Sequence, residues 1–309
     1  MSRLILPLLV VLMACSAPTA PTTSAQPTSA SPSSILTTSS SPPVTSTQPS
    51  PTTTLPEEAV ALVVGDFGNG SSAEYGVAER MRSVAVERGA RALLTTGDNF
   101  YTDDVERIWN RPFGWVEDLG MEVWAAWGNH DIQSASRREA VLEILDPPAH
   151  WYRTALGDAR LLFLDANQAR DPQQARWLFS QLAVSRDEPV VVLFHQPAFS
   201  CSFHGSTPAV VGDWVPLFGS FGVDLVPNGH DHNYQRFDEG GTTYVVTGGG
   251  GGGLYEVDDC PRGTEPPLVW NDSEHHFLVL TSSAGTMTVE AVAEDGSILD
   301  SFEVDPFGS

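Results

Sequence analysis

ALLTTGDNFY, residues 92–101, joins a short apolar run directly to a polar cluster, and the same arrangement recurs along the chain. The run 92–96 has the length and composition of a buried strand, and Gly97 ends it. Asp98 follows at once, and Tyr101 comes three residues later. Two interpretations of Tyr101 are open here: its ring caps the core, or its hydroxyl is a ligand.

Four further strand-like runs end in the same way. Their polar ends are GDFG at 65–68, GNHD at 128–131, His195 and GHDH at 229–232. Helical patterns at 74–88, at 136–145 and from Asp171 onward separate the strands, so we expect an α/β or α+β sandwich with helices outside the sheet. Ligands of such sheets bind beyond the carboxyl ends of the strands. We therefore expect the five clusters to converge.

The side chains at these ends are all oxygen or imidazole donors. They are Asp66, Asp98, Tyr101, Asn129, His130, His195, His230 and His232. Such donors suit iron, manganese or zinc, whereas thiolate chemistry needs cysteine. Any single residue of this kind is usually a turn or surface residue, but their recurrence at strand ends predicts a metal site. One carboxylate shared between two ions would make two adjacent shells, which suits phosphoryl displacement.

In their order, GDFG, GDNFY, GNHD, the His of LFHQP and GHDH resemble the calcineurin-like metallophosphoesterases, over residues 59–253. The tyrosine of GDNFY makes the chain similar to the purple acid phosphatases. We expect their short, mammalian-type, tartrate-resistant form, without an additional N-terminal β-domain. The resemblance implies a four-layer α/β/β/α fold, in which two mixed sheets are flanked by helices.

The resemblance also implies roles for the site residues. A ferric ion would be held by Asp66, Asp98, Tyr101 and His232. A divalent ion (iron, zinc or manganese) would be held by Asn129, His195 and His230, with Asp98 bridging the two ions. His130, oriented by Asp131, would stabilise the phosphoryl charge or protonate the leaving alkoxide. His204 matches a second outer histidine of the family and is the other candidate acid. The core-capping interpretation of Tyr101 survives only if the site is not ferric.

The expected function is an acid phosphatase that hydrolyses phosphate monoesters by attack of a metal-bound hydroxide. A divalent-metal phosphodiesterase or nucleotide hydrolase of the same fold is the alternative. A third hypothesis is a surface lipoprotein that binds metal or phosphate without turnover. The formal net charge of −23 argues against a nucleic-acid partner. We expect a monomer that acts on a small-molecule phosphate ester.

The N-terminus predicts export. Arg3 precedes an apolar run, 4–14, that is too short to span a bilayer, and Cys15 resembles the cysteine of a bacterial lipobox. We expect a lipoprotein signal peptide at 1–15, with an ordinary secretory signal as the alternative. The uncharged Ser/Thr/Pro-rich segment 16–56 is expected to be a disordered tether, and 57–309 the catalytic domain. The protein would be anchored by its lipid to the outer face of a bacterial membrane, or it would be secreted. The lipid anchor would be its only contact with the membrane.

The pairing of two cysteines, a run of glycines and three loops are less clearly defined by the sequence. Cys201 and Cys260 form either a disulfide, which export favours, or two buried thiols. The glycines 248–253 are expected to be a flexible passage near the site, where side chains would intrude. The loops that would shape substrate specificity, around 102–118, 198–214 and 254–272, carry no recognisable pattern.

Overall fold

The computed structural model describes residues 58–184, 188–258, 260 and 265–304. The predicted signal peptide with Cys15 and the segment 16–56 lie outside the described residues, so their assignment stays a prediction. Within the described ranges, no helix combines the length and the apolar character needed to cross a bilayer.

The strands form two mixed sheets. In chain order they are β1 (Ala59–Val64), β2 (Ala92–Thr95), β3 (Glu122–Ala125), β4 (Tyr152–Leu156), β5 (Ala159–Phe163), β6 (Val190–Leu193), β7 (Leu225–Asn228), β8 (Tyr234–Glu239), β9 (Thr242–Thr247), β10 (Leu268–Asp272), β11 (His276–Ser283), β12 (Thr286–Ala293) and β13 (Ile298–Val304). One sheet has the order β13-β12-β11-β1-β2-β3, and the other β10-β8-β9-β7-β6-β5-β4. The segments β1-β2-β3 and β5-β6-β7-β9 are parallel, and the remaining pairs are antiparallel.

Helices cover the outer faces of both sheets. They are α1 (Ser72–Arg88), α2 (Arg111–Phe113), α3 (Trp115–Asp118), α4 (Ala135–Ala140), α5 (Pro172–Leu182), α6 (Pro208–Asp213) and α7 (Val215–Phe221). The predicted signals at α5 are confirmed: the Asp171 carboxylate accepts from the amides of Gln173 and Gln174, and Pro172 opens the helix. The predicted stop of α1 at Gly89 is also confirmed, with a left-handed φ of 65°.

The alternation of side chains along β1 shows how the layers are built. Val60, Leu62 and Val64 pack against α1 and the helical turns of 106–118, in one apolar cluster. The intervening residues, such as Ala61 and Val63, pack between the two sheets against residues of β5, β6 and β7. A third cluster joins the second sheet to α5, α6 and α7. Both faces of both sheets are therefore covered, which confirms the predicted four-layer arrangement.

Several elements were not predicted from the sequence. Residues 102–118 contain a π-helical turn, Glu106–Asn110, followed by α2 and α3. Within 198–214 lies α6, and β10 lies within 254–272. The helical prediction at 136–145 holds, but its second half, Val141–Leu145, is π-helical. These segments are short, and 106–118 changes helix type within a few residues, so no single periodicity runs through them.

The disulfide interpretation is confirmed, since Cys201 and Cys260 are bonded across a sequence separation of 59 residues. Cys201 is fully buried in the cluster beneath α6 and α7. The bridge joins the loop after β6 to the segment before β10.

Removing this bridge is expected to destabilise the protein. For the double variant Cys201→Ser/Cys260→Ser, closing a loop of 59 residues predicts a loss of about 4 kcal/mol in the free energy of unfolding. Denaturant titration of the oxidised parent and the variant measures the difference. An unchanged unfolding midpoint would contradict a stabilising role for the bridge.

Candidate metal centre

The five polar clusters do converge, at the carboxyl ends of the parallel strands β1, β2, β3, β6 and β7. The backbone turns sharply there. Asp66, Asp98 and His230 all adopt left-handed φ angles, of 58°, 51° and 74°. Non-glycine residues rarely adopt this conformation, and such strain accumulates at functional sites. The turns after β1, β2 and β7 therefore each aim a donor side chain towards the same point.

Asp98 occupies the centre of this arrangement. Its Oδ2 lies 3.2 Å from the Tyr101 hydroxyl and 3.2 Å from Nε2 of His195. Its other oxygen, Oδ1, accepts a hydrogen bond of 2.7 Å from the backbone amide of His130. One carboxylate oxygen thus faces two groups of donors at once, while the other is fixed by the backbone.

On one side of Asp98 lies a group with phenolic, carboxylate and imidazole donors. The Tyr101 hydroxyl is 3.2 Å from Oδ1 of Asp66 and 3.1 Å from Nε2 of His232. The hydroxyl of Tyr101 therefore points into the cluster, and its ring does not serve only as a cap on the core.

On the other side lie one amide and two imidazoles. Nε2 of His195 is 3.1 Å from Oδ1 of Asn129 and 3.2 Å from Nδ1 of His230. The side-chain donors of Asp98, His195 and His230 all lie within 4.8 Å of one another, a spacing that could hold a metal ion. The seven predicted ligands are thus brought together as two sets that meet at Asp98.

Hydrogen bonds to the backbone fix the orientation of two imidazoles. Nδ1 of His195 lies 3.0 Å from the carbonyl of Thr96, and Nδ1 of His232 lies 2.7 Å from the carbonyl of Gly253. A carbonyl only accepts, so each Nδ1 carries a proton, and each ring in its neutral form presents its Nε2 lone pair to the cluster. This is the tautomer that a metal ligand requires.

The buried carboxylates and imidazoles of the cluster shift one another's pKa values. Burial opposes the charge on His195, but the carboxylates of Asp98 and Asp66 outweigh it and raise the pKa of His195 to about 9. Burial likewise opposes the charge on Asp98, yet the neighbouring histidines lower its pKa to about 2. Burial and the same two carboxylates raise the pKa of Tyr101 far above its usual value. A bound cation would favour a phenolate instead.

Glycines make room for these side chains. A Cβ on Gly248 would lie 2.8 Å from Oδ2 of Asp66, and one on Gly252 would lie 2.6 Å from the His232 ring. The prediction that larger side chains would intrude here is therefore confirmed. The amides of Gly250 and Gly252 donate to the carbonyls of Gly65 and Asp66, which ties the glycine run to the turn after β1.

His130 and His204 flank the cluster on opposite sides. The His130 ring lies 4.4 Å from the Tyr101 ring, and the His204 ring stacks on His230 at 3.9 Å. His130 is partly exposed and His204 is exposed, whereas His195 is fully buried. The two outer histidines can therefore exchange protons with solvent beside the donor cluster.

The predicted role of Asp131 is wrong. Its Oδ1 accepts from the amides of Asn99 and Phe100, and its Oδ2 accepts from the Gly128 amide and the Asn99 side chain. The carboxylate is fully buried among these donors and is not hydrogen-bonded to the His130 ring. It therefore joins the GDNFY turn to the GNHD turn and positions the two loops that carry Asp98 and Asn129.

Asp231 has a matching role that the sequence interpretation missed. Its carboxylate accepts from the amides of His204 and Gly205 and from the Ser200 hydroxyl, so it holds the loop that carries His204. The signal was present in GHDH, where Asp231 follows His230 as Asp131 follows His130 in GNHD.

The change Asp131→Asn is expected to destabilise the metal-free protein by about 2–5 kcal/mol. The Asn side chain has one acceptor oxygen, so it can pair with only some of the four donors that the Asp131 carboxylate binds. Each buried donor left unpaired costs about 1–3 kcal/mol. Chemical denaturation of the parent and the variant without metal gives this difference. Normal stability combined with lost activity would instead favour a role for Asp131 in orienting His130.

Comparison with known proteins identifies the fold and the family. The family model for calcineurin-like phosphoesterases matches residues 54–234. Human tartrate-resistant acid phosphatase type 5 is 30% identical over 229 residues, which are 60% of this chain and 70% of that protein. Arabidopsis thaliana purple acid phosphatase 17 is 24% identical over 219 residues, 58% of this chain and 63% of that protein.

Among solved structures, a purple acid phosphatase from yellow lupin seeds matches 81% of this chain and 54% of its own, with a TM-score of 0.68 and 19% identity. GAP50, the anchor in the inner membrane complex of Plasmodium, matches 81% of this chain and 89% of its own, with a TM-score of 0.66 and 17% identity. These two structures show the fold. The family match covers more than half of the chain, and the human and Arabidopsis relatives are tartrate-resistant and purple acid phosphatases. The chain therefore belongs to the calcineurin-like phosphoesterases, a family of hydrolases.

Proposed function

We propose that this protein is an acid phosphatase that hydrolyses phosphate monoesters at a dinuclear centre of iron(III) and a divalent ion. The observation that carries the proposal is the position of Asp98 Oδ2, at 3.2 Å from donors of both sets, one of which includes the Tyr101 hydroxyl. A bridging carboxylate needs such a position. A phenolic donor, once ionised, favours a ferric ion over a divalent one.

The donor set fits this pair of ions. Asp66, Tyr101 and His232 offer hard oxygens and one imidazole around Asp98, whereas Asn129, His195 and His230 offer a neutral set. The more highly charged ion belongs with the anionic set. The positive charge of two such ions would exceed the negative charge of Asp66, Asp98 and a Tyr101 phenolate, so the site would attract phosphate despite the acidic chain.

Metal ions at this site would supply Lewis acidity towards phosphate oxygens and lower the pKa of a water molecule. The protein's own contribution lies in the flanking histidines. His204 lies over His230 and His130 lies over Tyr101, so a phosphate held between the two donor sets has one exchangeable imidazole on each side. One of them would hydrogen-bond the phosphoryl oxygens, and the other would protonate the departing alkoxide.

The location of the enzyme is proposed from the sequence alone. The apolar run 4–14, Cys15 and the uncharged segment 16–56 support an exported lipoprotein whose catalytic domain is tethered to a membrane surface. The disulfide between Cys201 and Cys260 is compatible with an oxidising compartment.

The test is a comparison of monoester and diester hydrolysis by the metal-loaded protein and its His130→Gln and His204→Gln variants. We expect monoesters to be preferred. The variant that lacks the proton donor should lose roughly 10²–10⁴ in kcat for poor leaving groups, and less for good ones that need no proton. His150→Gln is the matched control, because His150 pairs with Asp165 and stacks on Trp127 outside the donor cluster.

Two results would replace the proposal. A preference for diesters, with two divalent ions bound, would favour the phosphodiesterase or nucleotide hydrolase alternative. Phosphate binding in a calorimeter without hydrolysis of either ester would favour a binding lipoprotein.

A further inference from the structure

Two aromatic side chains outside the donor cluster lie beside it. The Tyr255 ring stacks on His232 at 4.4 Å with an interplanar angle of 9°. The Phe203 ring lies 5.2 Å from Tyr255 and 4.9 Å from His204, which in turn stacks on His230. Phe203 is therefore one ring away from a residue of each donor set. We call Phe203 and Tyr255 the aromatic pair.

Phe203 is exposed to an unusual degree for its position. Its side chain is 75% accessible, the highest value among the large apolar residues that the structure describes. A single exposed apolar residue needs no explanation by itself. Here it stands at the edge of a cluster of polar donors, where a substrate bound to those donors would meet it.

The backbone beneath the aromatic pair is fixed from several directions. The disulfide joins Cys201, two residues before Phe203, to Cys260. The Asp258 amide donates to the Cys201 carbonyl at 2.9 Å, and the Ser202 hydroxyl donates to the Glu256 carbonyl at 2.8 Å. The segments that carry Phe203 and Tyr255 are thus joined to each other by the disulfide and by two hydrogen bonds.

The same unit is anchored to the strand ends. The Tyr255 amide donates to the His232 carbonyl at 3.0 Å, and Asp231 accepts from the His204 amide at 2.8 Å. Hydrogen bonds from backbone amides therefore connect both residues of the aromatic pair, or their sequence neighbours, to the turn that carries His230 and His232. A surface fixed in this way loses little conformational entropy when a ligand binds against it.

We propose that Phe203, supported by Tyr255, is a specificity-determining residue that contacts the aromatic leaving group of an aryl phosphate monoester. This inference rests on the proposed phosphatase function and specifies its substrate class. In an aryl ester only one oxygen separates phosphorus from the ring, so a phosphate held by the donor sets brings that ring close to the histidines and to Phe203 beyond them. Aromatic rings favour edge or offset contacts with one another, which an alkyl chain cannot make.

The test requires a substitution at Phe203 and not at Tyr255. Tyr255 stacks on His232, so its removal would disturb a residue of the donor cluster. Among the aromatic rings of the described residues, Phe203 contacts Tyr255 and the outer His204, and it is mostly exposed. Phe203→Leu keeps an apolar side chain without a ring, and Phe203→Tyr keeps the ring. Phe179→Ala is the remote control, since Phe179 is an exposed ring on α5 that packs against Phe221.

The first measurement is kcat/KM for phenyl phosphate and for propyl phosphate, using the metal-loaded protein. Phe203→Leu should lower the value for phenyl phosphate about 3- to 10-fold, the size of one aromatic contact, and leave propyl phosphate unchanged within about twofold. Phe203→Tyr and Phe179→Ala should retain the parent ratio. An equal loss for both esters would overturn the inference, because it would mean that Phe203 acts only by positioning the His204 loop.

The second measurement is independent of turnover. Phenylphosphonate and methylphosphonate, which have no ester bond to hydrolyse, are titrated into the metal-loaded protein in a calorimeter. The parent should favour phenylphosphonate, and Phe203→Leu should remove that preference. If the parent binds phenylphosphonate more tightly and Phe203→Leu does not, while no ester is hydrolysed, the aryl site stands and the phosphatase proposal fails. If esters are hydrolysed but the parent shows no phenyl preference, the phosphatase proposal stands and the aryl site fails.

Discussion

The structure depends on one buried carboxylate, that of Asp98, and on the way the chain holds it. Asp98 follows β2 in a left-handed conformation, with φ of 51°, and one of its oxygens accepts the His130 amide. Its other oxygen is left to face Tyr101 and His195. Gly128 passes so close that a Cβ there would lie 2.1 Å from Oδ1 of Asp98. The short polar turns after β2 and β3 are therefore constrained by the need to place one oxygen between two donor sets.

Two further aspartates hold the loops around that point. Asp131 joins the turn after β2 to the turn after β3, and Asp231 joins the turn after β7 to the loop that carries His204. Both are buried and accept several backbone amides, so each fixes a loop that has no regular secondary structure of its own. The disulfide adds a third connection on the side of Phe203 and Tyr255. In this way a site built from loops acquires the rigidity that metal ligation and substrate discrimination require.

The sequence predicted the parts of the molecule that follow simple periodicity. Buried parallel strands such as β1 and β6 are continuous apolar runs followed by polar donors, so a sheet flanked by helices and the convergence of the donors could be inferred. The four layers and the choice of seven donors as ligands were implied by the family resemblance. The antiparallel strands β8 and β13 mix polar and apolar residues and were missed. The predicted role of Asp131 was wrong because neighbours in sequence need not be hydrogen-bonded. At the tight turn after β3, the Asp131 side chain points towards backbone amides and is not hydrogen-bonded to the His130 ring. Phe203 was not predicted because its position beside the donor cluster depends on a disulfide and on ring stacking between loops that are distant in sequence.

The central claim is that Tyr101 binds a ferric ion beside a divalent one that shares Asp98. The most direct measurement is the visible absorption spectrum of the iron-loaded protein, beside Tyr101→Phe and the control Tyr75→Phe, whose hydroxyl bonds to the Arg107 carbonyl away from the cluster. We expect a purple charge-transfer band in the parent and in Tyr75→Phe, and its loss in Tyr101→Phe. A colourless parent that binds two divalent ions with full activity would contradict the claim.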